Sequence, residues 1–110
     1  MKSKELLLNK IETYIKVKES DVIYGEISVE HFTFMALRDR LIGNGTILEE
    51  DFDNQIYVIR IMSGTVNMNP AVIAVKLDDE KIKFSCYACE GFIKQRTAEK
   101  AIDKLKTIVK

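Results

Sequence analysis

The chain has one histidine, one proline, two cysteines and no tryptophan in 110 residues. A structural zinc site takes about four Cys or His ligands, and His31, Cys86 and Cys89 together fall short of that number. One Pro and five Gly spell no Pro/Gly-rich linker, and neither a low-complexity tract nor an internal repeat is present. Long uncharged runs are scarce too. The longest, residues 61–75, is broken by Ser63, Gly64, Asn67, Asn69 and Pro70 and does not read as a membrane-spanning helix. The opening "MKSKELLLNKIE" has only three consecutive apolar residues, Leu6 to Leu8, too few for a secretory signal. A cytoplasmic location without a membrane partner is the expectation. Asn44-Gly45-Thr46 then reads as a turn rather than a glycosylation site.

Charge of one sign is also lacking. Lys plus Arg and Asp plus Glu each number 17, a balance that argues against strong nonspecific binding to nucleic acid. The distribution is uneven. Residues 1–18 hold five Lys against two Glu, residues 19–57 two Arg against nine acids, and residues 81–110 eight bases against three acids.

What is present is a globular composition, 46% hydrophobic and 31% charged, in a length that suits one domain over 1–110. Leu7, Leu8, Ile11, Tyr14 and Ile15 follow helical spacing and predict a helix over 3–17. Residues 21–27 form a weak strand interrupted by Gly25. Ser28 is the expected N-cap of a second helix running to Ile42 and stopped by Gly43. Extended segments follow at 46–50, 55–62, 71–77 and 81–88, the last two joined by the loop Asp78-Asp79-Glu80. A helix over 97–109, with Thr97 as N-cap, carries the apolar stripe Ala98, Ala101, Ile102, Leu105, Ile108 and Val109.

This order predicts an α+β fold in two layers: an antiparallel meander of four to five strands, packed by a long C-terminal helix and one or two N-terminal helices. From residue 21 onward, β-α-β-β-β-β-α resembles the element order of a TATA-binding-protein-like repeat, in which a curved sheet grips a long C-terminal helix. That likeness implies topology and no function.

Strand parity separates two faces. Tyr57, Ile59, Ile61, Ile73, Val75, Leu77, Ile82, Phe84, Cys86 and Ala88 form the expected core face. The other face is mixed: Val58, Met62, Val72 and Ala74 make an apolar centre, with Arg60, Lys76, Lys83 and Tyr87 around it. A solvated antiparallel face is ordinarily polar at nearly every position, so these eight residues are the candidate binding surface. Three states of this face are open: covered by the N-terminal helix, paired in a homodimer, or left as a groove for a partner.

The other chemical motifs are weak. Cys86-x-x-Cys89 lies on a strand, where residues three apart face opposite ways, and not at the helix N-terminus that activates a redox thiol. His31 has no accompanying nucleophile motif. The acids at 49–53 lack the spacing of a calcium loop and read as a charged turn. No cofactor and no metal are expected. The reading is a small non-catalytic binding or assembly module acting through the mixed face, in self-association or with a protein partner. One alternative is a nucleic-acid binder that uses this face and the basic C-terminal helix. Another is a small thiol- or His-dependent enzyme built on Cys89 and His31.

Overall fold

The computed structural model describes residues 3–30, 32–61, 71–88 and 97–109. In chain order the elements are α1 (Ser3–Tyr14), β1 (Ile23–Ser28), α2 (Phe34–Ile42), β2 (Thr46–Asp51), β3 (Ile56–Ile61), β4 (Ala71–Asp78), β5 (Lys81–Ala88) and α3 (Thr97–Ile108), with a 3₁₀ turn at Glu19–Asp21. The five strands make one antiparallel sheet ordered β1-β5-β4-β3-β2. The class is therefore α+β. The meander runs from β2 to β5, and β1 adds beside β5.

Parity divides the sheet as the sequence predicts. Tyr57, Ile59, Ile73, Val75, Phe84 and Cys86 share a cluster with Phe34, Leu37 and Leu41 of α2 and with Ala101, Ile102 and Leu105 of α3. Tyr57 donates its hydroxyl to the Phe34 carbonyl at 2.7 Å and stacks on the Phe34 ring at 4.0 Å. Across the same layer, Arg40 Nη1 donates to the Ile108 carbonyl at 2.8 Å. A guanidinium from α2 thus satisfies a carbonyl in the last turn of α3.

The opposite parity builds a second cluster. Ile56, Val58, Val72, Ala74 and Tyr87 lie against Leu7, Leu8 and Ile11 of α1. With α1 on one face and α2 and α3 on the other, the architecture has three layers, which corrects the two-layer expectation. The physical cause is the apolar centre of the mixed face. Leaving it in water forfeits about 1.5–3 kcal/mol per large aliphatic side chain, and the stripe on α1 supplies the cover.

Three local expectations change. α1 ends at Tyr14 rather than at residue 17; Ile15 N–H still donates to the Ile11 carbonyl at 3.1 Å, and Ile15 and Val17 both pack on the second cluster. β1 runs through Ser28, and Val29 N–H donates to the Glu80 carbonyl at 2.9 Å, so Ser28 stays extended. Thr33 is the N-cap instead: its φ of −103° and ψ of 162° are extended, and its Oγ1 accepts from Ala36 N–H at 3.0 Å. Gly25 does not interrupt β1 but allows it. A Cβ there would stand 2.5 Å from Cζ of Phe84, the residue paired with it on β5.

Candidate functional site

The mixed face divides into a buried centre and an outer margin. Val58, Val72, Ala74 and Tyr87 are 0%, 3%, 0% and 7% exposed, sealed beneath α1. Lys76 and Lys83 are half-buried and Arg60 is exposed; Met62 lies outside the described residues. Tyr87 therefore presents no open ring for a base to stack on. The two lysines are engaged: Lys76 Nζ donates to the Asn54 carbonyl at 2.7 Å, and Lys83 Nζ lies 3.1 Å from Asp78 Oδ2. Also on β5, Lys81 Nζ is 3.6 Å from Glu26 Oε1 on the neighbouring strand β1.

The cover is fastened by a polar cluster that sequence reasoning missed. Lys10 on α1 is hydrogen-bonded to Glu49 and lies 2.8 Å from Asp51 Oδ2, both on β2. One helical turn on, Tyr14 donates its hydroxyl to Glu49 Oε1 at 2.7 Å. Asp51 in turn accepts from Asn54 N–H at 3.1 Å and from Asn54 Nδ2 at 2.9 Å.

A bulge arranges these acids. Thr46 and Ile47 pair with Arg60 and Ile59, but the register slips between Ile47 and Glu49, so Glu49, Glu50 and Asp51 pair with Val58, Tyr57 and Ile56. One extra residue reverses which side chains point to which face. Glu49 and Asp51 then face α1, while Glu50 faces α2 and meets Arg38 Nε at 2.9 Å. Of the four acids at 49–53 read as a charged turn, Asp53 lies in the turn, while Glu49, Glu50 and Asp51 are strand residues shared between two helices. Among the described residues, no cluster of three His, Cys, Asp or Glu side chains is placed to hold a metal ion.

The ionisation of the cluster follows its contacts. Hydrogen bonds from Asn54 and Lys10 hold the Asp51 carboxyl down to about 2. Glu49 is lowered by Lys10 and then by Tyr14. Burial pulls the Lys10 ammonium down, but its bonds to Asp51 and Glu49 together outweigh that and raise it. The Tyr14 hydroxyl is raised by its bond to the Glu49 carboxylate. The partners thus hold each other in their charged or donating forms, as a fastening requires.

Cys86 is fully buried, with Sγ 3.6 Å from the Ala98 carbonyl. Burial pushes its thiol up to about 12, opposite to what a nucleophilic thiolate needs. Cys89 and His31 lie outside the described residues. On the opposite face of β5, in register with Tyr24 and Ala74, Ser85 Oγ is buried with no hydrogen-bond partner among the described residues.

The two edges of the sheet differ. The outer strand β2 carries a bulge and three acids, and is bridged by α1 on one side and by α2 on the other. The outer strand β1 has a regular six-residue register with β5, and among the described residues no strand pairs with its other side.

No protein-family model, curated protein or solved structure matches the chain.

Proposed function

We propose that the protein is a small non-catalytic assembly module of the cytosol that associates with a second copy of itself. The inequality of the two sheet edges carries this reading. Natural sheets blunt their edges with bulges, charges and covering elements; β2 has all three, whereas β1 is regular and holds a single charged residue, Glu26. The exposed centre first expected of the mixed face is absent while α1 lies over it. Its basic margin, Arg60, Lys76 and Lys83, stands as a secondary contact surface. The placement of Cys86 supports a role other than catalysis for that thiol. β1 beside β5, and α3 packed on the sheet, also support the TATA-binding-protein-like element order as a reading of topology alone.

The test is solution mass by light scattering after size exclusion, across a wide concentration range. A concentration-dependent dimer is the expected result. A monomer at every concentration overturns self-association.

A further inference from the structure

We infer that α2 packs antiparallel against α2 of a second copy, about a two-fold axis between Arg38 and Asp39. This rests on the self-association reading and adds a contact at the side of the sheet away from β1.

Exposure locates the surface. Among the described residues four large apolar side chains are exposed, and three of them gather at α2: Met35 at 52%, Ile42 at 48% and Phe52 at 55%. Phe52, just past β2, stands edge-on to Phe34 at the Met35 end of the helix, with ring centroids 5.2 Å apart. Clustered apolar exposure marks an interaction surface.

Helical geometry sets the face. At 3.6 residues per turn, Met35, Arg38, Asp39 and Ile42 fall within about 100° of arc. Phe34, Leu37 and Leu41 are the buried residues of α2 and join the main cluster. Arg40 leaves by the opposite flank, where it reaches the Ile108 carbonyl of α3. The flank with Met35 and Ile42 therefore points away from α3. Arg38 ties it to Glu50 of β2, the outer strand farthest from β1.

The order of residues chooses the occupant. Along this flank the chain reads Met35, Arg38, Asp39, Ile42, and reversal about its midpoint puts apolar on apolar and base on acid. An antiparallel copy sets Met35 against Ile42 and Arg38 against Asp39, each twice. Glu50 takes Nε of Arg38 at 2.9 Å, one of five guanidinium donors, so it orients the group without exhausting it. Asp39 is exposed and forms no ion pair among the described residues. Nine residues make a contact only about 14 Å long. That is small beside the roughly 800 Å² per partner of a stable interface, so the pairing is weak and forms at high concentration.

Met35→Asp and Asp39→Lys change exposed positions and leave the core intact. In light scattering at rising concentration, Met35→Asp should lose this association. Asp39→Lys should weaken it roughly ten-fold, about what two exposed ion pairs contribute. Arg38→Glu combined with Glu50→Lys keeps the bond to β2 in reverse and should weaken it alike. An equimolar mixture of that variant with Asp39→Lys should recover the association, because each chain then meets its complement. Circular dichroism should match the wild type throughout. A mixture no stronger than its components, or association indifferent to Met35→Asp, overturns the α2 pairing while leaving self-association standing. A monomeric wild type overturns both.

Discussion

Lys10 Nζ lies 2.8 Å from Asp51 Oδ2, and that contact ties the first helix to an outer strand of the sheet. The pair is partly screened, with side-chain exposures of 18% and 15%, so it works as a partly buried fastening rather than a surface ornament. Lys10→Ala should destabilise the fold by about 1 kcal/mol, and the loss should shrink at high salt. A double-mutant cycle with Asp51→Ala, read by chemical denaturation, isolates the coupling. Additive losses would mean that the apolar stripe alone holds α1.

Acid should loosen the same fastening. Asp51 is lowered from an ordinary 3.8 to about 2, and Glu49 is lowered as well. A carboxyl depressed on folding adds stability that is full above its unfolded value and disappears as pH falls through its folded one. The Asp51 contribution is therefore lost between about 4 and about 2. Thermal midpoints followed over that range should fall less steeply for Asp51→Asn than for the wild type. Parallel curves would remove Asp51 from the account.

The second cluster should behave as true core. Ile11 and Val58 are both 0% exposed. Ile11→Ala should cost about 2–5 kcal/mol, the range for emptying a buried aliphatic site, and Val58→Asp should abolish folding by burying an unpaired charge. If Ile11→Ala costs under about 1 kcal/mol, α1 only rests on the sheet.

Ser85 offers a change in the other direction. Its hydroxyl is buried without a partner among the described residues, between Tyr24 on β1 and Ala74 on β4. Ser85→Ala should raise stability by about 1 kcal/mol, the order of cost for an unsatisfied buried hydroxyl. A loss of similar size would show that the hydroxyl is satisfied in solution.

Gly25 and Phe84 should be coupled. Gly25→Ala forces a Cβ into the Phe84 ring, 2.5 Å from its Cζ, at a cost of about 1–3 kcal/mol for overpacking. Phe84→Leu in the same chain should recover part of that loss. Strict additivity in denaturant melts would contradict the contact.

Much of this fold was legible because a strand displays its faces two residues at a time. Ile59, Ile73 and Phe84 could be assigned to one layer and Val58, Val72 and Ala74 to another without any knowledge of strand partners. The destination of the second set was less visible. The stripe Leu7, Leu8 and Ile11 announces an amphipathic helix, yet nothing local says which side of a sheet it covers. Lys10 and Tyr14, one turn apart beside that stripe, were the available signal for the acids at 49–51. It was obscured by the bulge, since a one-residue slip leaves no compositional trace. Ser28 misled for a similar reason: as an isolated cap it is as good as Thr33, and only the Val29–Glu80 hydrogen bond, made across the chain, decides against it.

The position of β1 beside β5 has a consequence for the order in which the molecule is made. β3, β4 and β5 pair with near neighbours in the chain and can zip together as successive hairpins, whereas Ile23 must wait for Cys86. Closing so long a loop delays its reward until most of the polypeptide is available. During synthesis the first strand emerges early and stays unpartnered until the fifth leaves the ribosome. Over that interval it is the segment most open to premature pairing with another nascent chain, and the one a chaperone would have most reason to shield.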